Sequence, residues 1–413
     1  SNKVRIDLSA PAITPSSVAI STDNELGGID PVDPQKYLAK VGNTITVDFT
    51  TDEDLSSAEV VINGETVIAS GSGTSWSATT RDALTEDVEE VSFQIAKYVD
   101  LAGNPSSEDA RTGDDNSNKI RIDLSKPAIT PSSVAISTDN ELGGTDPGDE
   151  HMYLAKDGDA ITLKFSTSEP LSSAKVEING EPIPASKQSG DMDGTQWEAV
   201  TQTPFSSDAD EVSFQIAEYV DLAGNSSSEI PTTSDGNSNK IRIDTTAPSV
   251  TEATIVSNNA DTGYGKHDDT LTLTFTTSEP VRDVADLEIE GLANLSVRSL
   301  NDEKTQWEAT GVVEKDLVEA SQSGGGGGGS TAAFSITVLD NAGNRGSPKT
   351  TTTDQTSVTL DTTAPTLSSV TLASSNAATN RAKSGDSLTL VFSSSEPIPV
   401  LTATLAGTSV TAT

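Results

Sequence analysis

Acidic side chains recur along this chain at a fixed interval, and they carry most of its chemical potential. Val4-Arg-Ile-Asp-Leu-Ser-Ala-Pro11 returns as Ile120-Arg-Ile-Asp-Leu-Ser-Lys-Pro127, as Ile241-Arg-Ile-Asp-Thr-Thr-Ala-Pro248 and as Val358-Thr-Leu-Asp-Thr-Thr-Ala-Pro365. Asp7, Asp123, Asp244 and Asp361 are thereby spaced 116, 121 and 117 residues apart. Every copy adds a glutamate (Glu53, Glu169, Glu279, Glu396), and the first three add Asp-x-Ala-Gly-Asn, giving Asp100 with Asn104, Asp221 with Asn225 and Asp340 with Asn344. Carboxylates and amide oxygens are hard donors, of which Ca²⁺ gathers about six to eight at irregular geometry. Brought together without a cation, such carboxylates repel and raise one another's pKa.

The elements that must position these groups are strands. A period of this length means tandem whole domains rather than a solenoid of short units, with expected boundaries at 1–122, 123–243, 244–360 and a partial copy at 361–413. Runs of Val, Ile, Thr and Phe alternate with Ser and Thr between clusters of Gly, Pro, Asn and Asp, the pattern of half-buried strands joined by turns. Thr44–Phe49 corresponds to Ile161–Phe165, Leu271–Phe275 and Leu388–Phe392, and Glu59–Asn63 to Lys175–Asn179 and Asp286–Glu290. Each complete copy then has a tryptophan strand (Trp76, Trp197, Trp307) and a strand around Phe93, Phe214 or Phe334. About seven strands in a unit of this size fit a two-sheet sandwich, with the Trp and Phe side chains in its core. No Gly/Ser linker separates Ile120-Arg-Ile122 from Asp123 and Pro127, so the expected arrangement is all-β sandwiches placed end to end. The chain opens inside a repeat, at Ser1-Asn2-Lys3, as a segment of a longer polypeptide would.

Asp-Thr-Thr-Ala-Pro at a junction, Thr-Ser-Glu-Pro at 277–280 and Asp-x-Ala-Gly-Asn after the sixth strand together resemble the bacterial immunoglobulin-like repeats of large surface adhesins and extracellular fibre proteins. The resemblance spans essentially the whole chain and implies tandem immunoglobulin-like sandwiches in an extracellular, cell-surface setting. In that strand order the second-to-third and sixth-to-seventh loops return to the pole where the chain enters the domain. Asp7, Glu53, Asp100 and Asn104 are then expected as one cluster, and Asp123, Glu169, Asp221 and Asn225 as a second. Asp244, Glu279, Asp340 and Asn344 form a third, and Asp361 and Glu396 a partial fourth. Asp23 and Asp139, from the first-to-second strand loops, are candidates to add ligands from the preceding domain. Calcium bound at such a junction would stiffen it. The alternative is plain turn chemistry, with Asp bonding its own backbone and Gly103, Gly224 and Gly343 at positive φ.

Other chemistry is thinly represented. With 63 acidic against 25 basic residues the formal charge is −38, which repels a phosphate backbone and argues against nucleic acid as a partner. The absence of cysteine excludes disulfides and thiolate sites, and two histidines, His151 and His267, read as solvated loop residues. No apolar run is long enough to form a membrane helix. Asp114-x-Asn116-x-Asn118 and Asp235-x-Asn237-x-Asn239 open like an EF-hand, but Lys119 and Lys240 stand where its glycine belongs, leaving at most an extra ligand. Asn225-Ser-Ser and Asn294-Leu-Ser are sequons, and the glycine run at Gly324–Gly329 reads as a surface loop.

These features favour a non-catalytic structural or adhesive rod segment whose partners are neighbouring copies, other surface proteins or cell-surface glycans. A catalytic carboxylate pair would not be expected to recur in every copy. The alternatives are a subunit of a self-assembling filament and a carbohydrate-binding array, the latter requiring exposed aromatics.

Overall fold

A computed structural model describes residues 4–25, 27–30, 32–81, 84–201, 205–321, 329–398, 400–405 and 407–410. The chain divides into two compact units, Ser1–Asp244 and Thr245–Thr413. The first unit contains two hydrophobic cores, drawn from residues 18–122 and 136–243. The second contains one, drawn from residues 250–360.

The first copy shows how the sequence makes these cores. Its strands are β1 (Ala19–Thr22), β2 (Lys36–Ala39), β3 (Ile45–Thr50), β4 (Leu55–Ile62), β5 (Glu65–Ile68), β6 (Ser70–Ser72), β7 (Ser75–Thr79), β8 (Phe93–Asp100), β9 (Pro105–Ser106) and β10 (Lys119–Ile122). One antiparallel sheet runs β1-β3-β7-β6 and the other β5-β4-β8-β9, an immunoglobulin-like division of strands between two sheets. Alternation decides which faces meet. In β3 the side chains of Ile45, Val47 and Phe49 are buried while Asp48 is exposed, and β8 turns Phe93 and Ile95 inward. The β4–β5 hairpin closes on Asn63-Gly64, with φ of 45° and 83°, the double positive φ that a two-residue turn matching strand twist requires.

The same device locks every core. Phe49 pairs in register with Trp76, Phe165 with Trp197 and Phe275 with Trp307. Each indole N–H donates to a carbonyl three residues upstream, on Gly73, Gly194 or Lys304, at 2.9–3.0 Å. Buried tryptophans with satisfied N–H groups are core, as expected from the sequence, and they present no stacking platform to a ligand.

A parallel pairing was not legible in the sequence. The Ile-Arg-Ile segment forms β10, which pairs parallel with β2 and buries Ile120 and Ile122 in the first core. Lys240–Ile243 repeats this against Asp149–Ala155, and Thr359–Leu360 against Tyr264–Gly265. The last strand of a copy therefore does not run on as the first strand of the next. Between Ile122 and Ala135 there is only an isolated bridge from Ile129 to Thr167 and a 3₁₀ turn at Pro131–Ser133. Residues 4–10 likewise form no strand, and Val4, Ile6 and Leu8 are exposed.

The Asp114 loop serves packing. Its carboxylate accepts the N–H groups of Asn116, Asn118 and Ile20, and Asp235 does the same for Asn237, Asn239 and Ile136. Both loops thus tie the first strand of their copy, and neither carboxylate joins the clusters described below. One short helix, Lys315–Ser321, precedes the glycine run, of which Gly324–Gly328 lie outside the described residues. In the last copy Leu367–Ser374 pairs with Leu388–Ser394, and Val370, Leu372 and Val391 stay exposed.

Truncating Trp197 to Ala should cost about 3–5 kcal/mol through the lost apolar contacts and the cavity left behind. Chemical denaturation of the full chain checks this, and the loss should appear in the transition of the second copy alone.

Candidate metal centre

The sandwich brings together three carboxylates that lie far apart in the chain. Asp123, Glu169 and Asp221 each offer an oxygen within 4.8 Å of the others, as do Asp7, Glu53 and Asp100 one copy earlier. Glu279 and Asp340 belong to the second unit, where Asp340 is buried, and Asp244 ends the first unit with its N–H on the Ala155 carbonyl at 2.8 Å. Asp361 donates its N–H to Gly265 and accepts from Thr363, while Glu396 follows the second strand of the last copy.

Asp221 is placed by its own loop. Gly224, at φ 92°, turns the chain so that Asn225 N–H meets Asp221 Oδ1 at 2.8 Å and Asn225 Nδ2 meets Asp221 Oδ2 at 2.9 Å. The same Nδ2 donates to the Asp123 backbone carbonyl at 2.9 Å, which draws the junction segment onto the loop. In the first copy Ala102, Gly103 and Asn104 all donate N–H groups to Asp100 Oδ1, and Asn104 Nδ2 reaches both Asp100 Oδ2 and the Asp7 carbonyl. Asp340 and Asn344 repeat the motif. Turn chemistry and convergence are therefore both present in one loop. Because each carboxylate has about four acceptor positions, hydrogen bonds to the loop and a cation can share it.

The electrostatics are those of crowded anions. Burial is the main cause that pushes the Glu169 carboxyl up to about 7, and the Asp123 and Asp221 carboxylates add to it against the opposing charge of Arg121. Asp123 is also raised, first by burial and then by Asp221, again opposed by Arg121. Glu53 shifts upward through burial and its neighbours Asp7 and Asp100. Asp100 differs: burial works against its ionisation, yet the Asn104 side chain and the loop N–H groups outweigh that and hold it below the ordinary carboxylate range.

Asp23 and Asp139 stand outside the carboxylate clusters. Asp23 Oδ1 accepts Thr44 N–H at 2.7 Å and Asp139 Oδ1 accepts Ala160 N–H at 2.6 Å, so each carboxylate closes a turn in its own copy. What sequence reasoning missed is cationic. Arg121 pairs with Asp30, Glu89 and Asp123 at 3.4–3.5 Å, and the largely buried Lys36 bonds Glu89 at 2.7 Å. These groups and Glu169 line a cavity of about 360 Å³ between the first and second copies. The signal was the arginine two residues before the junction aspartate, present as Arg5, Arg121 and Arg242 and replaced by Thr359.

The remaining motifs resolve simply. Asn225 is buried with its amide engaged and cannot accept a glycan in the folded chain, whereas Asn294 is exposed. His151 lies on the strand Asp149–Ala155 rather than in a loop, half exposed, near Glu150 and Asn239. His267 is also half exposed, beside Asp268.

No family model matches the chain, and no curated protein matches it. Solved structures similar to it include a tandem from titin, 8% identical, covering 79% of this chain and 95% of that one at a TM-score of 0.26. An ectodomain fragment of ICAM-5 is 12% identical, with 95% and 96% coverage and a TM-score of 0.25. Fibronectin(III)-like modules of CbhA from Clostridium thermocellum are 11% identical, with 55% and 94% coverage and a TM-score of 0.23. Among the described residues no helix is long and apolar enough to cross a membrane.

The Glu169 carboxyl provides a pH signature. Its folded pKa of about 7 lies above the ordinary 4.5, so its protonated form favours the fold; that contribution is full below about 4.5 and is lost as pH climbs through about 7. Metal-free protein should lose thermal stability across that interval, and Glu169→Gln, which stays neutral, should remove this component. Coincident pH profiles for the two proteins, read by calorimetry, would sink the assignment.

Proposed function

We propose that this chain is a non-catalytic segment of an extracellular structural or adhesive protein, in which Ca²⁺ bound by the junction carboxylates stiffens the passage from one sandwich to the next. The observation that carries the reading is the convergence of Asp123, Glu169 and Asp221, repeated as Asp7, Glu53 and Asp100. Asp123 lies on the connecting segment, while Glu169 and Asp221 lie in the body of the second copy, so one ion held by all three would pin the connection to the domain. The donor set suits a hard cation: carboxylate oxygens, with the Asp123 carbonyl beside the loop. A divalent ion would also offset the Asp123 and Asp221 charges that add to burial in raising Glu169.

Recurrence of one acid set in successive copies supports a structural role over a single catalytic centre. An extracellular setting accords with the lack of cysteine pairs only in the sense that calcium, rather than disulfides, would supply the cross-links, and the high negative charge keeps such a segment soluble. Neighbouring copies of the same protein, other surface proteins and glycans are the partners in this reading.

Millimolar Ca²⁺ should raise the melting temperature of the full chain and a chelator should reverse the gain. Glu169→Gln should weaken calcium binding at the second-copy site in a calorimetric titration while leaving binding at Asp7, Glu53 and Asp100 in place. Identical melting curves with calcium and with chelator would remove the metal from the function.

A further inference from the structure

A second feature of the junction between the first two copies involves no carboxylate ligand. Three donors of the first copy meet three consecutive carbonyls of the second: Gly28 N–H reaches Leu222 O at 2.7 Å, Asn24 Nδ2 reaches Ala223 O at 2.9 Å, and Lys40 Nζ reaches Gly224 O at 2.7 Å. These carbonyls belong to the Asp221–Asn225 loop. We infer that the first copy clamps this loop by its backbone and so holds the first and second copies in one orientation whether or not a cation is bound.

The donors are set in place before they meet the loop. Asn24 Nδ2 also donates to Leu38 O of its own copy at 2.9 Å, which orients the amide. It can lie there because residue 27 is glycine: a Cβ on Gly27 would come within 2.3 Å of Asn24 Nδ2 and 2.5 Å of Leu38 O. Lys40 is anchored by its own N–H on Asn43 Oδ1 at 2.9 Å, leaving the ammonium to reach the loop. The second copy builds the same arrangement, with Asn140 Nδ2 on Leu154 O at 3.0 Å and a Cβ on Gly143 meeting Asn140 Nδ2 at 2.3 Å.

The loop shows what capture does to it. Leu101-Ala-Gly103 and Leu222-Ala-Gly224 have the same sequence and the same positive φ at glycine, 100° and 92°. In the first copy Leu101, Ala102 and Gly103 are all exposed, whereas in the second Leu222 is half-buried and Ala223 and Gly224 are buried. Recognition of carbonyls rather than side chains lets one donor set accept any Asp-x-Ala-Gly-Asn loop, and an ammonium among the donors adds attraction toward its acidic surroundings. Opening returns the donors and carbonyls to water, so the clamp is held by the net gain of three hydrogen bonds together with the surface that Ala223 and Gly224 bury.

The absence of natural cysteine allows a direct test on the full chain. Spin labels at Ser57→Cys and Ser173→Cys, both exposed, report the distance between the two copies in chelator, with no divalent cation present. Without the clamp, tandem domains joined by a short segment move relative to one another, so Lys40→Met combined with Asn24→Ala should broaden the distance distribution by roughly two-fold or more. Gly27→Val, which displaces the Asn24 amide without deleting a donor, should broaden it as well. A distribution equally narrow in the parent and in both variants, or equally broad in all three, would overturn the clamp. A calorimetric calcium titration of the Lys40→Met/Asn24→Ala protein keeps the two readings apart: calcium binding at Asp123, Glu169 and Asp221 should persist there although the metal-free distribution has broadened.

Discussion

The gathering of three carboxylates in a partly buried site is the constraint around which the described junction is organised. Asp123 and Glu169 are both raised, by burial first and by neighbouring negative charge after it, with Asp221 beside them. The chain answers with two local devices. The Asp-x-Ala-Gly-Asn turn lends N–H groups and an amide to its aspartate, and Arg121 lends a positive charge to Asp123. Neither neutralises the whole cluster, and the proposed divalent cation would be a third.

The sandwich is a means of holding that tension in place. The Phe–Trp pairs fix the register of the central strands in each copy, and the loops at the strand ends inherit that precision. The first strand is not left to pairing alone: Asp114 and Asp115 bond the N–H groups of Ile20 and Val18, and Asp235 bonds Ile136. In the third copy hydroxyls take over, with Thr353 and Thr356 accepting from Ala253 and Ile255. A threonine substitutes here because the bond is to a neutral N–H, which a hydroxyl oxygen accepts without needing a charge.

Repetition gives these details their functional meaning. In the proposed function, acids that reappear copy after copy would act on the relation between domains, and the backbone contacts of the first copy with Leu222–Gly224 would act on the same relation without a metal. One hold would respond to ionic conditions and the other would not. Together they describe a junction with a constant hold and an adjustable one.

Much of this was legible from the residues alone. The repeat of Ile-Arg-Ile-Asp, the alternating strands, the tryptophan cores and the glycines at positive φ follow from local pattern, because alternation, ring size and φ preference are properties of short stretches. The convergence of Asp123, Glu169 and Asp221 was also within reach, since sandwich topology returns particular loops to one pole. The parallel pairing of β2 with β10, the turn-closing roles of Asp23 and Asp139, and the reach of Asn24 and Lys40 into the next copy were decided only in three dimensions. Asp23 and Asn24 are neighbours with similar polar side chains, and no pattern says which will face its own turn and which the adjoining domain. That depends on where the carbonyls of a loop almost two hundred residues away come to rest, and only the packed chain specifies it.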